Sequence, residues 1–159
     1  MQEKEIPNPA AFTDVSRPIE PGRLVGLDPG TKRIGLAISD ELRLTTRPLP
    51  RIQRTSWKTL LQKVKETIAE FDAKALVIGL PLESDGQESA MSAEARDMAR
   101  KFGLSLDIPV FLQDERATSY EAKGRLWEAG ASIDESRENV DSTAASIILA
   151  DFIDRLSGR

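Results

Sequence analysis

Three acidic positions stand where chemistry could be done. Asp28 closes a short apolar segment, Leu24 to Asp28, just before the turn pair Pro29-Gly30. The pair Asp114-Glu115 follows a second apolar segment, Val110 to Gln113. Asp141 precedes Ala144, Ala145, Ile148 and Phe152 at helical spacing, so it shares the face that should pack on a sheet. The chain has no histidine and no cysteine. That removes the imidazole base, the thiol nucleophile, disulfides and Cys- or His-based metal sites. Oxygen donors remain, and these favour hard divalent cations such as magnesium, manganese or calcium. Carboxylates that converge repel one another, and a cation among them offsets their charge.

Each acid also has an ordinary use. Asp28 before Pro-Gly suits a turn. Asp114 and Glu115 with Arg116 suit a solvated loop carrying a surface ion pair. Asp141 at the head of a helix suits a cap or a partner of the helix dipole. Taken singly, none of the three requires a site. Their joint placement, after the first strand, after the last strand and on the last helix, is what would let them meet.

The elements that must position them follow from periodicity. Leu24–Asp28 and Ile34–Ser39 read as a hairpin, with a third strand between Thr45 and Gln53. Pro48 and Pro50 suit that strand to a sheet edge. Trp57, Leu60, Leu61, Val64, Ile68 and Phe71 recur at helical spacing. Ala75–Leu80 is a continuous apolar run, as in a strand buried on both faces. Pro81–Gln87 reads as a polar loop, Glu88–Phe102 as a helix and Val110–Gln113 as a buried strand. Thr118 and Glu121 form a capping signature for a further helix, ended by Gly130. Ala131–Asn139 reads as polar and loop-like, and Val140–Leu156 as the last helix. The order predicts an α/β fold: a mixed five-stranded sheet, three antiparallel strands followed by alternating helix and strand, with helices on both faces.

Residues 1–22 carry several prolines and little periodicity, and are expected to be a disordered tail before one domain over 23–159. The formal net charge of −4 counts mildly against nucleic-acid binding, although a local basic patch can coexist with it. No apolar run approaches the roughly 20 residues of a membrane span, and no secretory leader is legible. The expectation is a cytoplasmic protein with no membrane association.

The segments GLDPGTKRIGLAISD, VIGLPLESDGQES, DERATS and VDSTAASIILADFID, in this order, resemble the YqgF/RuvX family. The likeness covers nearly everything from Gly22 to Leu156. It implies a ribonuclease H-like fold and kinship with Holliday-junction resolvases. Members are described as resolvases and as nucleases that mature the 5′ end of 16S ribosomal RNA. Carried over by position, the resemblance assigns Asp28, Glu115 and Asp141 as metal-binding catalytic acids, with Asp114 a weaker candidate. It implies a site for two ions of Mg2+ or Mn2+. The departures from the commoner pattern, at Pro29 and at Ala117 and Ser119 of DERATS, touch none of these acids. Ala144 and Ala145 stand where resolvases of the RuvC type carry a further acid, which argues against four-acid resolvase chemistry.

Lys32 and Arg33, at the first hairpin, are candidates for nucleic-acid backbone contact, or simply an exposed hairpin tip. Arg116 would steer phosphate or pair with Asp114. Ser84, Asp85 and Gly86 would form a flexible substrate loop or an ordinary connection, Gly86 permitting unusual backbone angles. Trp127 would stack a base or fill core. The expected partners are nucleic acid, with ribosomal RNA precursor favoured over branched DNA, and ribosomal particles; the chain would be a monomer or weak dimer. Two other readings stand beside the nuclease: a non-catalytic nucleic-acid or ribosome-binding module, and an ATP-binding protein, since DPGTKRIG also looks like the phosphate hairpin of the actin and sugar-kinase superfamily.

Overall fold

The computed structural model describes residues 19–30, 32–115 and 133–157, with 133–141 described by backbone alone. The strands are β1 (Val25–Pro29), β2 (Arg33–Ser39), β3 (Thr46–Gln53), β4 (Leu76–Leu80) and β5 (Val110–Asp114). The helices are α1 (Trp57–Phe71), α2 (Ala90–Ser105) and α3 (Ile133–Leu156). The sheet order is β3-β2-β1-β4-β5. β1, β2 and β3 are antiparallel neighbours, whereas β1–β4 and β4–β5 are parallel. The expected mixed sheet is thus present, with β3 at an edge, where the missing N–H groups of Pro48 and Pro50 interrupt least pairing.

Alternation along the strands divides the core between two faces. Val25, Leu27, Ile34, Leu36, Leu76, Ile78 and Leu112 face α1 and α2, meeting Leu60, Val64, Met98, Ala99 and Phe102. Trp57 of α1 meets Phe102 of α2 edge-on, with ring centroids 4.7 Å apart. Ala37, Ala75, Val77 and Phe111 face α3 and pack on Ala145, Ile148, Leu149 and Phe152. A Cβ built on Gly26 would lie 2.9 Å from Leu149 Cβ and 3.0 Å from the Ala145 carbonyl oxygen, so a glycine lets α3 come close to β1. Asp28, two residues on, lies on the same face.

Helix starts follow their caps. The Ser56 side chain accepts from the Thr59 N–H at α1. At α2, Ser89 and Ser92 form a reciprocal capping box, so the helix begins two residues later than apolar content suggests and runs on to Ser105.

The last helix corrects the sequence reading. The segment expected to be a loop, Ala131–Asn139, is helical from Ile133 onward. The run Asp134-Glu135-Ser136-Arg137-Glu138-Asn139 has no apolar stripe, but Glu and Arg are good helix formers. Apolar periodicity reports which turns are packed, not which turns are helical. Asp141 therefore sits in the third turn of α3, where it cannot act as an N-cap. The helix expected over Thr118–Gly130, with Trp127, lies outside the described residues.

At the other end of the chain, part of the expected tail contacts the body. Ile19 packs against the α3-side core, and Arg43 donates to the carbonyl oxygens of Glu20 and Gly22. Residues 1–18 lie outside the described residues. Among the described residues no helix is long and apolar enough to cross a membrane.

Candidate active site

Asp28 lies on β1, the central strand, half-buried at its carboxyl end. Open sheets with parallel strands gather their sites at that end. Asp28 is in register with Gly35 of β2. On the other side β1 pairs with β4 through Leu27 and Ile78, so one step further puts Asp28 beside Gly79. A glycine therefore flanks Asp28 on each side, so neither cross-strand neighbour contributes a side chain there.

Glu115 reaches this place from the sheet edge. It follows β5, and its N–H donates to the Leu80 carbonyl at 3.1 Å, which carries the parallel pairing with β4 one residue past Asp114 and holds Glu115 beside the end of β4. Its carboxyl group then lies over Gly79. A Cβ on residue 79 would fall 3.0 Å from Glu115 Cδ, closer still to Oε2, and 2.6 Å from Ile148 Cδ1 of α3. β4 separates β5 from β1, so Glu115 can meet Asp28 only across a strand position that has no side chain.

The two carboxyl groups are hydrogen-bonded to each other, which requires a shared proton when no cation is present. Burial, then the negative charge of Asp28, the hydrogen bond to it and the charge of Asp114 push the Glu115 carboxyl up to about 9 from its ordinary 4.5. A buried acid made uncomfortable by neighbouring acids is a frequent mark of a functional site.

This shift has a consequence for the protein without divalent ions. The folded state prefers a neutral Glu115, so its contribution to stability is whole below pH 4.5 and is lost as pH rises toward 9. Melting temperature in EDTA is expected to fall over that window. Glu115→Gln should flatten the fall, melt higher than wild type at pH 8 and be more stable there by about 1–2 kcal/mol, the size of a typical stabilising substitution. Thermal denaturation at several pH values checks it; an equally steep fall in Glu115→Gln would mean the strain lies elsewhere.

The other expected positions divide as follows. Asp114 is half-buried at the end of β5 and close enough for its charge to act on Glu115, but alternation aims it toward the opposite face. Asp141 lies in α3 one residue before Ser142, whose hydroxyl accepts from the Leu36 N–H at 3.4 Å, beside Gly35. The Asp141 side chain and all of Arg116 lie outside what is described. Among the described residues no group of three acids is close enough to hold a metal. Asp28 and Glu115 still fit a hard divalent ion: they are adjacent oxygen donors, and Glu115 is held in a cradle that leaves its carboxyl strained without a positive charge.

Lys32 and Arg33 are exposed at the turn of the first hairpin, on the same end as Asp28. This turn is braced: Arg54 N–H donates to the Lys32 carbonyl and Arg54 Nη1 to the Gly30 carbonyl, each at 2.8 Å. Arg54 also pairs with Glu94 of α2 at 3.1 Å. Ser84, Asp85 and Gly86 follow β4, again at this end. Their loop is a closed turn rather than an open one: Gly86 N–H donates to Glu83 O at 2.7 Å, Glu83 N–H to Gln87 O at 2.9 Å, and Gln87 N–H to Asp85 Oδ1 at 3.0 Å. Gly86 has φ +88°, which only glycine adopts readily. Gly79 and Arg54 were not singled out by sequence. For Gly79 a signal existed, since a glycine inside an otherwise apolar strand marks close approach of another group.

A family model described as "RuvX: Holliday junction resolvase" matches residues 22–155. The chain belongs to the RuvX family. It is 39% identical over 132 residues to a protein of Anaeromyxobacter sp. (strain Fw109-5) named "Putative pre-16S rRNA nuclease", covering 83% of this chain and 96% of that one. A Roseiflexus sp. (strain RS-1) protein of the same name is 36% identical over 135 residues, 85% of this chain and 96% of its own. Among solved structures, Thermus thermophilus RuvC in complex with a Holliday junction substrate aligns with a TM-score of 0.54 at 15% identity, over 86% of this chain and 97% of that one. That likeness concerns the fold, which is ribonuclease H-like. The RuvX match spans β1 to α3, so it takes in both acids that meet at Gly79 and the helix that carries Asp141.

Proposed function

We propose that this RuvX-family protein is a divalent-cation-dependent nuclease that hydrolyses phosphodiester bonds, acting on the 5′ end of precursor 16S ribosomal RNA. The observation that carries the reading is the meeting of Glu115 with Asp28 across Gly79. Stability of the core gives no reason to set two half-buried acids against each other beside a glycine gap, whereas a cation site does. The names of the relatives at 39% and 36% identity support the choice of substrate.

In this reading Asp28 and Glu115 hold the ion, joined by Asp141 from α3, with Asp114 adding negative potential from β5. Bound Mg2+ or Mn2+ would supply Lewis acidity, lowering the pKa of water and stabilising charge on phosphate oxygens, and a pair of ions suits phosphodiester hydrolysis. The chain has no histidine to serve as base, so the carboxylates must keep their protons off while the ion is bound. In this reading Lys32 and Arg33, exposed on the braced hairpin turn at the same end of the sheet, contact the phosphate backbone. Arg54 keeps that turn fixed relative to Asp28.

The test is cleavage of a 16S precursor and of a four-way DNA junction side by side, with Mg2+ or Mn2+ and with EDTA, against Asp28→Asn. Precursor cleavage that needs the cation and is absent from the variant is expected. A second reading, junction resolution, is favoured by the description of the family model and would need a dimer to cut two symmetric strands. Junction cleavage by a dimer, with the RNA untouched, would replace the first reading by the second. Binding that persists in EDTA with no cleavage of either substrate would leave a non-catalytic module.

A further inference from the structure

We propose that two serines of α3, Ser142 and Ser146, form a polar seam that sets the position of this helix along the sheet and so delivers Asp141 to Asp28 and Glu115. The role of Asp141 as a ligand rests on the nuclease reading; the seam itself rests on the contacts below.

Among the described side chains, the middle of the α3 face toward the sheet is mostly apolar: Ala145, Ile148, Leu149 and Phe152 are fully buried, and near the far end Arg155 donates to the Leu112 carbonyl at 3.3 Å. Apolar contact is non-directional. A helix held only by such contact against Gly26, Ala37 and Gly79 has little to stop it shifting along its axis. One residue of shift is about 1.5 Å, and a metal ligand must be placed within about 0.5 Å. Something directional has to hold the register.

Ser142 and Ser146, one helical turn apart, are the buried polar side chains among the described residues of α3, 3% and 8% exposed. Ser146 Oγ lies 2.7 Å from Thr46 Oγ1, and Thr46 Oγ1 donates to the Ser146 carbonyl at 3.1 Å. The single hydroxyl hydrogen of Thr46 is thereby used, so the Ser146 hydroxyl donates in return. This pair ties α3 to the edge strand β3. Ser142 Oγ accepts from the Leu36 N–H of β2 at 3.4 Å.

That second contact falls at an irregularity in the sheet. Ile34 pairs with Ile52 and Leu36 with Leu49, so two residues of β3, Pro50 and Arg51, oppose the single residue Gly35. Such a bulge disturbs the ladder locally and is a place where the backbone can serve another partner. Gly35 is the residue in register with Asp28. The seam therefore grips the sheet one residue from the row that carries Asp28, at Leu36, which is in register with Leu27, and it does so through the residue next to Asp141. Serine at these two places satisfies the buried polar groups and fixes distance at once, which alanine could not do.

The experiment compares Mn2+ affinity by titration calorimetry and melting temperature in wild type, Ser142→Ala, Thr46→Val and Thr46→Ser. Thr46→Val keeps the shape of the side chain and removes the hydroxyl, whereas Thr46→Ser keeps the hydroxyl. Ser142→Ala and Thr46→Val should each weaken Mn2+ binding about 10-fold, the usual effect of losing a group that orients a ligand. Thr46→Ser should stay within about 2-fold of wild type. A purely structural role would lower melting temperature and leave Mn2+ affinity alone, and that result would overturn the proposal. If wild type binds no Mn2+ at all, the nuclease reading fails. The seam is then decided by exchange of the Leu36 amide: at least about tenfold faster exchange in Ser142→Ala upholds it, and unchanged exchange ends it.

Discussion

Asp28→Asn, Glu115→Gln and Asp141→Asn are each expected to lose at least about 100-fold in cation-dependent cleavage, since even groups that merely orient a metal ligand cost 10–100-fold. The folds should survive. Asp28 and Glu115 lie at strand ends rather than in the apolar core, and Asp141 sits in the interior of a long helix, so amide replacement leaves the packing of both core clusters intact. The losses should not add: Asp28→Asn combined with Glu115→Gln should be no worse than the poorer single variant, because residues that act as one unit fail together. The signature that separates lost chemistry from lost structure is a variant that melts as high as wild type, or higher in EDTA, and does not cut. Single-turnover cleavage with thermal melting checks this. Wild-type rates in all three variants would remove these acids from the site.

Gly79→Ala is expected to do comparable harm without touching any polar group. The new methyl would fall 2.6 Å from Ile148 Cδ1 and 3.0 Å from Glu115 Cδ, so helix and carboxyl cannot both stay where they are. Ile148 is fully buried with little room to yield. Overpacking of this kind typically costs about 1–3 kcal/mol. The side chain of Glu115 is the freer neighbour, and its displacement opens the contact with Asp28. Cleavage should fall by about 100-fold or more, and Mn2+ affinity should fall with it. Gly79→Ala with wild-type affinity and rate would show that Glu115 has another way of reaching its partner.

These two expectations differ in how much of their basis could be read from the chain. The acids were visible as candidates: Asp28 ends one apolar segment and the pair Asp114-Glu115 follows another, and the family resemblance singled out Glu115 from that pair. Their meeting was not visible. Local sequence left each of them an ordinary use as turn or loop residue, and nothing in the spacing of 28 and 115 says that one strand, β4, lies between them. Gly79 was visible only as a member of an apolar run. Its role depends on which neighbour crosses it, and that is a property of strand order. For Asp141 the sequence misplaced the helix start, because a charged first turn carries no apolar stripe. The longer helix removed capping as an explanation for that residue.

Strand and helix types, the edge position of β3 and the two faces of the sheet followed from the amino-acid order, because alternation, helical spacing and proline positions are local properties of the chain. The absence of histidine and cysteine likewise restricted any metal chemistry to oxygen ligands before any fold was known. What folding alone decided was proximity: that the Glu115 side chain lies over a glycine of β4, that Ser142 meets Leu36 at a bulge, and that Arg54 braces the first hairpin. These contacts join residues far apart in sequence, and whether they form depends on how sheet and helices pack in three dimensions rather than on the preferences of any one segment.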